Sequence, residues 1–143
     1  ALIKSEKQSA IPDQTKFVLD PVGNQELLVR GVRKHVRSSY KGVLLDGHFT
    51  LLKPNGEITA IEVDVFAKLG LDTIVVLRDN PISICNRLRE RDKQDWAIAI
   101  VSAHQDAEIN RARVVASSLG IPIYIVDTLD SDSLARAIHA LEK

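Results

Sequence analysis

At 143 residues the chain has room for one hydrophobic core and is short for two, so it reads as a single domain over 1–143. Lys plus Arg and Asp plus Glu each number 19, a balance that excludes a global field holding the chain on an anionic membrane and argues against nucleic acid as a partner. Hydrophobic residues at 45% and charged residues at 27% match ordinary globular usage, and no apolar run nears the roughly 18 residues that cross a bilayer, so no membrane partner is expected.

The first residues are charged from Lys4 onward and lack the apolar stretch of an export signal. The lone Cys85 has no partner for an internal disulfide, which agrees with a cytoplasmic setting. A helix is predicted over 1–8, and Ile11-Pro12-Asp13 breaks it. Asp20-Pro21 then reads as a cap with proline at the first helical position, opening a polar-rich helix that runs to Tyr40. Leu28, Val29, Val32 and Val36 give it a narrow apolar face, while Arg30, Arg33, Lys34 and Arg37 repeat at the same period on another.

Gly42-Val43-Leu44-Leu45-Asp46 is a short continuous apolar run closed by an acid, the pattern of a strand buried on both faces. Apolar runs on either side of Pro54-Asn55-Gly56-Glu57 predict a β-hairpin excursion at about 49–61, because Asn-Gly suits the left-handed turn. A short helix over 63–69 ends at Gly70, a buried strand covers 73–77, and Pro81 starts a helix running to about 91. Asp95-Trp96 is expected to open a long helix with the stripe Ile98, Val101, Ile109, Val114, Val115 and Leu119, stopped by Gly120. A strand over 121–126 follows, then a helix capped at Asp130 or Ser131 that carries Leu134, Ala137, Ile138 and Leu141. Strands alternating with helices predict an α/β fold with a mostly parallel sheet covered by helices.

In such sheets ligands bind beyond the C-terminal strand ends, which here means Asp46-Gly47-His48, Arg78-Asp79 and Asp127-Thr128. An acid directly after a buried strand is the Walker B arrangement, whose carboxylate holds Mg2+ or its water beside nucleotide phosphates; a turn or capping role for Asp46 fits the residues equally. Gly47 lets backbone pass close to a ligand, and His48 could orient a nucleotide or water. Arg87 and Arg91 sit at i and i+4 on one helix, so both guanidinium groups project to one face and could clamp phosphates; a solvated helix end balanced by Glu90, Asp92 and Asp95 is the plainer alternative. The spacing from Gly42 to Phe49 imitates a phosphate loop but carries His and Phe where Lys and Ser or Thr are needed, and its middle reads as strand. The four histidines are dispersed, with no two at a zinc-ligand spacing.

Taken in order, Gly42 to Phe49, the hairpin, Asp72 to Pro81, Arg87 to Asp92 and Ala112 to Val126 resemble the adenylate-kinase-like ATP-binding proteins of the P-loop nucleotide kinase group. The resemblance implies a three-layer P-loop-kinase-like fold, ATP and Mg2+ as cofactors, and a small-molecule nucleotide as partner. It implies a Walker B-like Asp46 with Mg2+ held through water, phosphate contacts from Arg87 and Arg91 in a short lid over 87–100, and nucleotide contacts from Gly47, His48, Asp127 and Thr128. It also implies an acceptor-binding part over 1–40, with Arg30 and Arg33 as candidates.

Members of the group begin with a strand and a glycine-rich loop bearing Lys and Ser or Thr, neither of which occurs here. The expectation is therefore a phosphotransferase domain whose first strand and Walker A loop are absent. A missing N-terminal segment or a second chain would complete the sheet. The alternative is a non-catalytic nucleotide-binding or protein-interaction module of the same fold.

Overall fold

The structure is a computed structural model that describes residues 29–32, 43–53, 55–128, 132 and 135–136. The chain divides into two compact units, Ala1–Gly70 and Leu71–Lys143. The predicted helix over 1–8 lies outside the described residues. So does the predicted helix from Asp20 to Tyr40, except for 29–32, which is helical with Val29 and Val32 buried and Arg30 exposed, as its period requires. Gly42 lies outside as well, and of the last predicted helix only 132 and 135–136 are described, both helical.

In the first unit β1 (Thr50–Leu52) pairs antiparallel with β2 (Ile58–Ala60). Ile61 N–H donates to Phe49 O at 3.0 Å, so the ladder spans the predicted 49–61. Gly56 takes φ +84°, a conformation that favours glycine, and Asn55 Oδ1 accepts from Glu57 N–H at 3.0 Å, so both turn residues act as the Asn-Gly pair suggests. Helix α1 (Val63–Leu69) buries Phe66, whose ring stacks on Phe49 with centroids 4.9 Å apart, and ends at Gly70 in the left-handed region.

The second unit runs β3 (Ile74–Arg78), α2 (Pro81–Asp92), α3 (Ile98–Leu119) and β4 (Ile123–Asp127). Strands β3 and β4 are parallel, which demands a long crossover, and the two helices supply it. Helix α3 packs on α2 and on both strands, and its buried face is Val101, Ile109, Ala112, Val115 and Ala116. Ile74, Val76 and Val126 of the strands and Cys85 of α2 are buried as well.

The chain is thus α/β, and among the described residues β3 and β4 are the parallel pair of the expected sheet. Three expectations are corrected. Residues 43–48 form no strand, and Leu44 is 86% exposed. An apolar run states what a segment would bury, but a strand also needs a partner to take its N–H and C=O groups. Asp95-Trp96 does not open α3, which starts at Ile98 behind an extended Ala97, while Asp95 instead accepts from Arg89 Nε at 2.6 Å. The stripe on α3 also differs, for Ile98 and Val114 are about half exposed while Ala112 and Ala116 are buried. Close approach of the helix to the strands selects the small side chains that a reading weighted toward large apolar residues passes over.

Candidate functional site

Residues Arg78 and Asp127 face each other in the β3–β4 register, so the two C-terminal strand ends open side by side. Arg78 Nε donates to Asp127 Oδ1 at 2.7 Å and Nη2 donates to Oδ2 at 3.3 Å, a two-pronged pair across the strand tips. The hydrogen bonds and charge of Asp127 hold Arg78 still further above its ordinary pKa. One residue on, Thr128 N–H donates to Arg78 O at 2.9 Å and carries the ladder past the strand end. Helix α2 then begins behind Asn80, whose Oδ1 accepts from Ile82 N–H at 2.9 Å, with Pro81 at the first helical position.

Asp79 is the hub of this end of the sheet. Its side chain is 7% exposed, and its Oδ2 accepts from Arg87 Nη1 at 2.5 Å. Its Oδ1 accepts from Asn80 N–H at 2.7 Å, and the Asp79 backbone N–H donates to Gln105 Oε1 at 2.9 Å. Asp79 therefore ties the end of β3 to α2 through its carboxylate and to α3 through its backbone.

The Arg87 hydrogen bond, aided by Asn80 N–H and Thr128, holds the Asp79 carboxyl below the usual carboxylate range against the opposing effect of desolvation. Because the folded value is depressed, the stabilisation is fully present above the ordinary Asp pKa and is lost as pH falls through the folded value. Acid unfolding of Asp79→Asn should accordingly be less steep across that acidic window than that of the parent, measured by circular dichroism against pH. Equal steepness would assign the acid sensitivity to other carboxylates.

Of the residues singled out in the sequence, the structure brings Arg87, Asp127 and Thr128 together around Arg78 and Asp79. Arg91 lies one turn on along α2, where its Nε and Nη2 donate to the Asp92 carboxylate at 3.0 and 3.2 Å, and it lines one shallow surface with Ile84, Arg87 and Leu88. Its side chain is 66% exposed, so the Asp92 pair contributes ~1 kcal/mol at most and leaves the guanidinium exchangeable.

Asp46, Gly47 and His48 are exposed in the first unit, and the Asp46 carboxylate accepts no hydrogen bond from a described residue. A Cβ on Gly47 would meet nothing within 4 Å, so its own surroundings do not demand glycine. Arg30 is exposed, and Arg33 lies outside the described residues.

Sequence reasoning placed Arg78-Asp79 at a strand end but missed the hub, and it missed Gln105 altogether. Gln105 meets Asp79 across 26 positions, a pairing that no local spacing signals. Among the described residues no three His, Cys, Asp or Glu side chains gather as a metal cage. A divalent ion at Asp46 would complete its shell with water and phosphate oxygens, as Mg2+ commonly does.

The AAA domain family matches residues 2–99 of this chain, a stretch that contains Asp46, Arg87 and Arg91. Adenylate kinase of Thermococcus kodakarensis is 30% identical over 131 residues, covering 87% of this chain and 66% of that protein. Adenylate kinase of Thermococcus onnurineus is 27% identical over 129 residues, covering 86% and 65%. The chain spans just under two thirds of the length of these curated relatives.

Proposed function

The chain belongs to the AAA domain family and to its adenylate-kinase-like P-loop members, and from that premise we propose that it takes part in ATP-dependent phosphoryl transfer to a nucleotide or other small acceptor when an N-terminal phosphate loop is present. The observation that carries the reading is the gathering of Arg87, Asp127 and Thr128 where two parallel strands end, in a chain whose family match covers most of its length. Phosphoryl transfer asks little covalent chemistry of a protein; it asks for positioned cations and a held acceptor.

In this reading Arg87 and Arg91 meet the transferring phosphates from α2, at the start of a short lid over 87–100. Gly47, His48, Asp127 and Thr128 contact the nucleotide, and Arg30 and Arg33 in the part over 1–40 hold the acceptor. Asp46 is the carboxylate that holds Mg2+ through water, and the ion, when bound, neutralises phosphate charge. The finer fold proposed is a three-layer arrangement in which β3 and β4 belong to a larger, mostly parallel sheet.

Because two relatives are named adenylate kinase, AMP is the first acceptor to test. With the N-terminal phosphate loop present, Mg2+-ATP and AMP should yield ADP in a coupled assay, and other nucleoside monophosphates should react more slowly. Absence of turnover across the whole set would sink the catalytic reading.

A further inference from the structure

The cations at the strand ends are not held alike. Arg78 is gripped by two prongs of Asp127, whereas Arg87 reaches Asp79 through Nη1 alone and is itself 58% exposed. A guanidinium carries five N–H donors, so Arg87 has spare donors and room to turn outward. Asp79 has neither freedom: its side chain is nearly enclosed, and its carboxylate is held independently by Asn80 N–H. If Arg87 left, the carboxylate would keep the Asn80 N–H donor, so the departure would not strand an unpaired buried charge, which is the usual cost of breaking such a pair.

We propose that Asp79 is a guard on Arg87: a polyphosphate ligand engages this arginine by taking it from the Asp79 carboxylate, which stays behind on Asn80 N–H. The guard rests on the reading of Arg87 as a phosphate-contacting residue. It acts as a threshold, because a weakly charged anion does not outcompete a fixed carboxylate, whereas the clustered charge of a triphosphate does. Asp79 is in these terms a positioning residue that lowers affinity, the reverse of what a purely structural carboxylate at a binding site would do.

The test is calorimetric titration of inorganic tripolyphosphate into the chain and its variants. Asp79→Asn keeps the acceptor oxygen for Asn80 N–H and removes the charge, and it should bind about tenfold more tightly, the size of one charge-assisted hydrogen bond no longer contested. Arg87→Gln should bind about tenfold more weakly. The double variant should match Arg87→Gln, since a guard has nothing to act on once its arginine is gone.

Weaker binding by Asp79→Asn would overturn the proposal, as would a gain that persists in the Arg87→Gln background, which would reflect only the loss of a negative charge. Binding to none of the four proteins would overturn the phosphate role of Arg87 and the guard with it. Binding that is unchanged by Asp79→Asn would remove the guard alone. A second measurement needs no variant: the carboxyl 13C resonance of Asp79 should shift as the parent is saturated with tripolyphosphate. A carboxyl signal that stays fixed while Arg87 responds would end the proposal.

Discussion

Replacing Asp46 by Asn should lower phosphoryl-transfer turnover by on the order of a hundredfold, equal to about 3 kcal/mol of transition-state stabilisation. The substitution preserves shape and removes the charge that a water-shelled Mg2+ would read. The fold should not suffer, for Asp46 is exposed and accepts no hydrogen bond from a described residue, so no cap or turn is lost. Thermal midpoints of the two proteins should therefore agree while their turnover diverges. The Mg2+ concentration needed for half-maximal rate should rise as well, which separates loss of an ion contact from loss of nucleotide affinity.

Asp72→Asn is a suitable control, being an exposed acid in the turn before β3, and it should leave turnover unchanged. Equal activity of Asp46→Asn and the parent would remove Asp46 from the mechanism. An equal fall in thermal midpoint and in turnover would instead make it structural.

Those elements whose signal is local were legible in the sequence. Asn55-Gly56 places the hairpin because Gly56 supplies the positive φ its turn uses, and Gly70 and Gly120 end helices because each takes a positive φ that other residues resist. Asn80-Pro81 marks the start of α2 through a cap oxygen and a preset φ. What required a partner was less legible. Val43-Leu44-Leu45 has the composition of a buried strand but no described ladder partner, and composition alone cannot supply one.

The site divides along the same line. That Asp127 and Thr128 stand at the end of β4, and Arg87 on the helix that follows β3, follows from their positions in a βα pattern. That Arg87 is held by Asp79, with Gln105 on its backbone, and Asp127 by Arg78 depends on contacts between residues 8, 26 and 49 positions apart and on the one-to-one register of Arg78 with Asp127. Arg87 and Arg91 share a helix face as their spacing predicts. Each is nevertheless paired with a different carboxylate, a distinction the period does not contain.

The two neighbouring valines of α3 separate these levels in a measurement. A reading by period treats Val114 and Val115 alike, yet Val115 is fully buried and Val114 is 47% exposed. Val115→Ala removes two methyl groups from a face seated on β3 and β4, so it should cost about 2 kcal/mol, of which ~1.6 kcal/mol is lost transfer free energy and the rest the cavity left behind. Val114→Ala should change stability by less than ~0.5 kcal/mol, because its side chain already meets water and alanine is the better helix former.

Ala112 tests the same face from the other direction. With no exposed surface where α3 approaches the strands, it has no room for three more carbons, and Ala112→Leu should destabilise by about 1–3 kcal/mol through overpacking. Urea unfolding followed by Trp96 fluorescence would read all three variants. The expected pattern is a lowered midpoint at unchanged slope for Val115→Ala and Ala112→Leu, and no displacement for Val114→Ala. Equal losses at Val114 and Val115 would mean that α3 seats on the sheet through a different face, and the strand-end cluster that α3 supports through Gln105 would have to be rebuilt with it.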